Sequence, residues 1–140
     1  LDFKQYVQAI LRMKTPPAFD ALDLSSGEND LFGTASVAAK HFTPYALKNG
    51  TAGGAMADAQ TIKMMNPMNY IGVKDARNAQ HWRIRHGTIN RDTSLAIPVI
   101  LATKLQQSGK QVDFVLPWNR PHSGDYDLDE LFAWVEGIAR

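Results

Sequence analysis

The segment from Trp82 to Pro117, "WRIRHGTINRDTSLAIPVILATKLQQSGKQVDFVLP", carries the clearest structural pattern of the chain. Two short runs rich in strand-forming residues enclose an apolar run that is long enough for a helix. The pattern predicts three elements in order: a strand over 82–86, a helix from Thr93 or Ser94 to Gln107, and a strand over 111–117. Gly109 is expected to end the helix in a left-handed conformation. A strand, a helix and a strand in succession predict parallel pairing and an α/β fold class.

Beyond this segment, a final helix is predicted to begin at Asp127. Asp127 and Glu130 fit a D-x-x-E capping box. The apolar residues that follow recur at helical spacing and predict a buried stripe, which consists of Leu128, Leu131, Phe132, Val135 and Ile138. A parallel pair of strands with an apolar helix such as Leu95 to Leu105 has more apolar surface than this chain can cover, so we expect further strands from outside this sequence.

The first half of the chain is less regular. Apolar residues at helical spacing predict a helix from Phe3 to about Lys14, which Pro16 and Pro17 would end. Three weaker expectations follow along the chain: a loop over 18–33, a helix over 34–48 that Pro44 interrupts, and a short helix over 58–65.

Composition excludes several classes of function. The 140 residues are 44% hydrophobic, enough for one ordinary domain, and a net charge of +1 argues against binding to nucleic acid or to an anionic membrane surface. No apolar run approaches the roughly 20 residues of a membrane span, and no signal peptide is evident, so a soluble chain of unknown compartment is expected. There is no cysteine, and His81 and His86 lack a third ligand at useful spacing, so we expect no metal site. Because the chain opens at Leu1, it is interpreted as a processed product or as part of a longer protein.

Polar residues follow both predicted strands. Asn90 and Asp92 lie shortly after the first strand, and His122 lies six residues after Leu116 near the end of the second. The carboxyl ends of parallel strands are where open α/β folds place their sites, so these loops are expected to meet. In α/β-hydrolases the chain order is nucleophile, acid and histidine, and the last two fit this order.

The stretch from Trp82 to Trp134, which includes "PWNRPHSGDYDLDELF", resembles the C-terminal segment of tannases and tannase-like serine esterases. These are α/β-hydrolases that cleave galloyl esters. "FDALDLSSGENDLFG" (19–33) and "MMNPMNYIG" (64–72) are similar to the same family. The resemblance implies that residues 81–140 are the C-terminal βαβα part of the hydrolase core, not an independent domain, and that residues 1–80 are a helical, lid-like segment.

The resemblance also implies roles for individual residues. His122 would be the general base, and Asn90 would occupy the position of the triad acid, where aspartate is expected. Asp92, Lys14 and Glu28 would contact the phenolic hydroxyls of a gallate-type ester. No cofactor is implied. The serine nucleophile would lie in a G-x-S-x-G motif in the N-terminal half of the hydrolase, because this sequence contains no such motif, and the chain alone is therefore expected to be inactive.

Each of these roles has a simpler alternative. His122 could pack in its loop, Asp92 could cap the following helix, and Lys14 and Glu28 could be solvated charges. Asn90 admits three explanations: an inactivated site, a takeover of the acid role by Asp92, or an acid position that lies two residues further on. A weakened or inactive site is favoured. The alternative function is a non-catalytic fragment or degenerate homologue that binds phenolic ligands or a partner chain.

Overall fold

The structure is a computed structural model that describes residues 2–10, 17–122 and 126–139, and within them the chain forms six α-helices and two strands. In chain order these are α1 (Phe3–Ile10), α2 (Gly27–Leu31), α3 (Pro44–Asn49), α4 (Ala59–Met65), β1 (His81–Arg85), α5 (Ala96–Gln107), β2 (Gln111–Val115) and α6 (Leu128–Ala139). A 3-10 turn over Pro67–Asn69 follows α4. The predicted end of the first helix, near Lys14, lies outside the described residues.

The two strands pair in parallel, which confirms the predicted mixed helix and strand class. Their register joins His81 to Gln111 at one end and Arg85 to Val115 at the other. Helix α5 contacts both strands and buries Pro98, Ala102 and Leu105. These apolar side chains form the core of the second half of the chain.

Both ends of α5 follow from its sequence. At the start, the Ser94 hydroxyl accepts the Ala96 N–H at 3.3 Å. At the other end, Gly109 has a φ of +78°, and the Lys110 N–H donates to the Leu105 carbonyl at 3.1 Å. A left-handed residue turns the chain back in this way so that it satisfies carbonyls of the last turn, which confirms the role predicted for Gly109.

Two expectations for the first half are wrong. Pro44 does not interrupt a helix over 34–48 but begins α3 at its first turn, where a missing N–H costs nothing. The Thr43 hydroxyl caps this helix by accepting the Ala46 N–H at 3.2 Å. Helix α2 lies inside the predicted loop over 18–33, and the Ser26 hydroxyl accepts the Asn29 N–H at its start.

The buried carboxylate of Asp20 organises the first half of the chain. It is surrounded at 2.7–2.9 Å by five donor atoms, which belong to Asn29, His41, Phe42 and Thr43. Burial raises the pKa of Asp20, but the hydrogen bonds from His41, Thr43, Phe42 and Asn29 outweigh it and lower the pKa to about 2. Asp20 therefore holds together residues that are distant in sequence.

The apolar stripe predicted to be buried on α6 is largely exposed. Phe132 is 65% exposed, and Leu128, Val135 and Ile138 are each more than 40% exposed. The outer face of α5 is similar, since Ile97 and Ile100 are 52% and 57% exposed. No helix in the described part of the chain is long and apolar enough to cross a membrane.

Candidate functional site

The loops that leave β1 and β2 are joined by backbone hydrogen bonds. The Thr88 N–H donates to the Pro117 carbonyl, and the Ile89 N–H donates to the Arg120 carbonyl, each at 3.1 Å. In return, the Asn119 N–H donates to the Thr88 hydroxyl at 2.8 Å. These three bonds make the two loops one structural unit, so a displacement of one loop moves the other.

Gly87 lets the two loops approach each other. A Cβ atom at this position would lie 2.1 Å from the Arg120 carbonyl oxygen and 2.5 Å from that of Pro121. Such distances are far inside van der Waals contact, so any side chain here would push the second loop away. Because His122 directly follows Pro121, Gly87 sets the distance between the histidine and the loop after β1.

Asn90 is buried, and its side chain is part of its own loop. The residue is 8% exposed, and its Oδ1 atom accepts the Asp92 N–H at 2.8 Å and lies 3.4 Å from the Thr93 nitrogen. Its backbone N–H donates to the Gly87 carbonyl at 3.0 Å. This is the Asx-turn geometry in which an asparagine side chain stands in for a backbone acceptor. Asn90 thus fixes the path of the chain toward Asp92.

Asp92 and His122 face each other across the two loops. The Oδ2 atom of Asp92 lies 3.7 Å from the Nδ1 atom of His122. The His122 side chain is 57% exposed and that of Asp92 is 43% exposed. The structure therefore brings together the predicted histidine and both polar residues of the first loop, and Asp92 is the one whose carboxylate meets the histidine ring.

His86 is a residue of this region that the sequence interpretation considered only as a metal ligand. It is 7% exposed, and it lines a cavity of about 410 Å³ together with Asn90 and His122. Burial lowers the pKa of His86, and the nearby His122 lowers it further. His86 therefore favours its neutral form. Its position directly after β1 was the available signal for its proximity to the site.

Glu28 lies in a different place. It is in the first turn of α2 and lines a second cavity, of about 460 Å³, together with Phe19, Phe32 and Phe42. The rings of Phe32 and Phe42 stack with their centroids 4.3 Å apart. Lys14, the other residue predicted to contact substrate, lies outside the described residues. Among the described residues, Glu28 and His122 thus line two different cavities.

The residues available around His122 suit acid–base chemistry. The described parts of the chain contain no group of three or more histidine, aspartate or glutamate side chains that could hold a metal ion. An imidazole that faces a carboxylate through Nδ1 presents Nε2 on the other side of the ring, where it can accept a proton from a nucleophile.

No protein-family model matches the chain, and no curated protein matches it. Solved structures do match it. Tannin acyl hydrolase from Lactobacillus plantarum is 53% identical with a TM-score of 0.88, over 92% of this chain and 28% of that one. A tannin acyl hydrolase in complex with ethyl gallate is 51% identical with a TM-score of 0.88, over 100% of this chain and 30% of that one.

Fusobacterium nucleatum tannase is 50% identical with a TM-score of 0.83, over 92% of this chain and 28% of that one. The chain thus spans less than a third of the length of the tannases that it matches. At this identity, similarity of fold and similarity of sequence agree along almost all of the chain. The chain is therefore related to the tannases over the part of their length that it spans, and the family resemblance predicted from its motifs is confirmed.

Proposed function

We propose that this chain is part of a serine esterase that hydrolyses galloyl or related phenolic acid esters. The observation that carries the proposal is the meeting of Asp92 and His122 at the carboxyl ends of two parallel strands, in a chain similar to tannases. Two of the similar tannin acyl hydrolases were solved with ethyl gallate and with 3,4-dihydroxybenzoate. Both ligands carry a phenolic ring with adjacent hydroxyls, so we assign the same class of substrate here.

In the proposed reaction, His122 is the general base. Its Nε2 atom takes the proton of a serine hydroxyl while the serine oxygen attacks the ester carbonyl, and it then gives that proton to the departing alcohol. Water hydrolyses the resulting acyl-serine by the same proton transfers in reverse, which releases the phenolic acid. No cofactor takes part. The serine belongs to a G-x-S-x-G motif that this sequence does not contain.

The proposal includes an arrangement of the chain within the larger hydrolase. Residues 81–140 would be the C-terminal βαβα part of the core, and residues 1–80 would be a lid-like segment. The exposed apolar faces of α5 and α6 support this arrangement, because Ile100 and Phe132 would be covered by elements of the N-terminal half. Since the nucleophile would come from that half, we expect the 140-residue chain to be inactive by itself.

Substrate contacts are assigned to the charged residues of the first half. Three adjacent phenolic hydroxyls require several polar partners, and a pocket built around them excludes rings that leave those partners unpaired. We propose Lys14 and Glu28 for this role. The aromatic side chains beside Glu28, among them Phe32 and Phe42, suit a ring. Asp92 is proposed for the same role, and its position beside His122 would bring a bound phenolic ring close to the general base.

The experiment compares the complete protein with the 140-residue chain. Each is incubated with ethyl gallate, and the release of gallate is followed by chromatography. The proposal predicts multiple turnovers by the complete protein and none by the 140-residue chain. A folded complete protein that releases no acid from ethyl gallate or other phenolic esters would contradict it.

Asn90 favours a second candidate function, because an amide at the position expected for the triad acid is what a degenerate homologue would carry. In that case the protein binds phenolic ligands or a partner chain and does not cleave esters. Titration calorimetry with ethyl gallate distinguishes the two functions, since this candidate predicts heat of binding with no gallate released.

A further inference from the structure

We infer that Arg85, together with Arg83, is a positioning residue for His122, because these two arginines of β1 hold one carboxylate on each side of the histidine in the chain. The inference rests on the proposed esterase function and adds to it two residues from outside the predicted site. The two carboxylates belong to Asp113, in β2 before His122, and to Asp127, which follows His122 and directly precedes α6.

The guanidinium of Arg85 reaches both carboxylates at once. Its Nη2 atom donates to Oδ2 of Asp113 at 2.7 Å, and its Nε atom donates to Oδ2 of Asp127 at 3.2 Å. Its Nη1 atom donates to the Asp113 carbonyl at 2.9 Å and to the Ile84 carbonyl at 3.0 Å. A planar fork of fixed geometry can bridge two partners in this way, whereas a lysine ammonium is a single point of charge. Arg85 therefore fixes the position of Asp127 relative to both strands.

Arg83 completes a group of two arginines and two carboxylates. Its Nη2 atom donates to the same Oδ2 atom of Asp127 at 2.9 Å, and its Nε atom lies 3.5 Å from Oδ2 of Asp113. Most of the surface of the Arg83, Arg85 and Asp127 side chains is buried. Solvent ions therefore screen these pairs only weakly, so the attraction between them is stronger than that of an exposed pair.

The contacts favour the charged forms of Arg85 and Asp113. The hydrogen bond from Arg85 lowers the pKa of Asp113, and the charges of both arginines lower it further against the opposing effect of burial. Burial lowers the pKa of Arg85, but its hydrogen bonds and its attraction to Asp113 and Asp127 outweigh burial and raise the pKa. The ion pair between Arg85 and Asp113 therefore persists at neutral pH.

The places of these residues in the chain connect them to His122. Before the histidine, the hydrogen bond from the Ile89 N–H to the Arg120 carbonyl ties the chain to the loop after β1. After the histidine, Asp127 ties the chain to β1 itself through the two arginines. His122 thus lies between two points of attachment to the same strand and its loop. Release of the second point would let the ring move, and a displacement of about 1 Å can lower a catalytic rate about 100-fold.

Stability alone is a weak explanation for this group of charges. Buried ion pairs lose the hydration of both partners, so their replacement by apolar side chains often leaves stability unchanged. Charge-assisted hydrogen bonds of an arginine fork add geometric specificity, which is what the placement of a catalytic histidine requires. The simpler alternative is that the arginines only fasten α6 to the sheet. Variants of Arg85 and Asp127 separate the two roles.

Steady-state kinetics of the complete enzyme on ethyl gallate give the first test. Arg85→Met, which keeps an unbranched apolar stem, is expected to lower kcat about 100-fold with KM changed less than about 3-fold. Arg85→Lys should recover only part of the loss, because one ammonium replaces the fork. Arg77→Met removes an exposed guanidinium elsewhere and should match the wild type. Unchanged kcat in folded Arg85→Met, or a rise in KM with kcat retained, would overturn the inference.

A double-mutant cycle tests whether Arg85 acts through Asp127. Asp127→Asn keeps the shape of the side chain and removes its charge, and it should lower kcat about 10-fold. If both residues hold the same tie, the double variant should lose no more than about 100-fold, which is the loss expected of Arg85→Met alone. Losses that multiply to about 1,000-fold would show that the two residues act independently, and they would overturn the inference.

Hydrogen exchange measures the positioning of the loops independently of catalysis. In the complete protein, Arg85→Met should speed exchange at the Ile89 and Asn119 amides, whose hydrogen bonds join the two loops. The Ala102 and Leu105 amides of α5 should be unchanged. Equally faster exchange at all four amides would show that Arg85 stabilises the whole fold, and unchanged exchange would show that it does not hold the loops; either result would overturn the inference. A wild type that releases no gallate would instead overturn the proposed function, and the exchange results would still decide the inference.

Discussion

The described residues contain two aspartate–histidine pairs, and the two differ in separation, burial and surroundings. Asp20 and His41 lie 2.7 Å apart with side chains only 2% and 1% exposed, whereas Asp92 and His122 lie 3.7 Å apart with side chains 43% and 57% exposed. The Nε2 atom of His41 is buried, and a Cβ atom added at Gly50 would lie only 2.9 Å from it. No nucleophile could reach that nitrogen.

The difference shows that chemistry depends on access as much as on residue type. The carboxylate of Asp20 is surrounded by hydrogen-bond donors from the first half of the chain. These hydrogen bonds therefore contribute to the stability of the folded state. The side chains of the Asp92 pair are 43% and 57% exposed, so a nucleophile and a substrate could reach the histidine ring. The first pair is therefore structural, and the second pair has the access that the proposed function requires.

Removal of the carboxylate gives the largest expected difference between the two pairs. Asp20→Ala should lower the free energy of unfolding by about 3–5 kcal/mol, because it leaves several buried donors unpaired. Asp92→Ala should change it by less than about 0.5 kcal/mol, because the residue is exposed. Urea denaturation of the complete protein measures both. Equal losses would show that the two pairs do not differ in the way described.

Gly87→Ala should act on the second pair alone. The added methyl would overlap the Arg120 and Pro121 carbonyl oxygens, so we expect a loss of about 2–3 kcal/mol in stability and displacement of His122 from Asp92. Ester hydrolysis should fall at least about 100-fold. Gly27→Ala, at a glycine with open space around it, is the matched control. Full activity in Gly87→Ala would contradict the inference that the close approach of the loops after β1 and β2 positions His122.

Low pH should reduce the contribution of the Asp20–His41 pair to the stability of the fold. The pKa of Asp20 is lowered from 3.8 to about 2, so its contribution is fully present above pH 4 and is lost as the pH falls toward 2. The shift corresponds to about 2 kcal/mol. The difference in unfolding free energy between wild type and Asp20→Asn should shrink by this amount across that range. A difference that stays constant with pH would disprove the role of the charge.

Asn90→Ala should have the smallest effect on stability. Loss of its Asx turn is expected to cost about 1 kcal/mol, since one side-chain acceptor of backbone N–H groups is removed. The loss should be local, with hydrogen exchange faster at the Asp92 and Thr93 amides and unchanged in α5. Uniformly faster exchange would show that Asn90 supports the whole core.

The sequence was most informative where local signals and apolar spacing agree. Helix α5 and both strands were predicted within a few residues, because Ser94, Gly109 and the apolar run between them act locally. The Asp20 centre was not predicted, since its partners lie 9–23 residues away and only folding brings them together. The start of α3 at Pro44 was misassigned because proline disfavours the interior of a helix but is well tolerated in its first turn.

The candidate site was predictable in position but not in detail. The rule that parallel strands present their loops at one edge placed Asn90, Asp92 and His122 near one another, and the structure does bring them together. Two features decide which side chain of the first loop faces His122: the Asx turn at Asn90 and the close approach of the two loops at Gly87. Neither feature could be derived from the spacing of residues in the sequence. The roles assigned to the five predicted site residues stay predictions; these are His122, Asn90, Asp92, Lys14 and Glu28.

The most direct test of the account is the rate of ethyl gallate hydrolysis by the complete protein after substitution of one histidine. His122→Gln should lower kcat/KM at least about 10³-fold while the melting temperature stays within about 2 °C of the wild type, because an exposed general base contributes to catalysis and little to folding. Retention of the wild-type rate in folded His122→Gln would contradict the account.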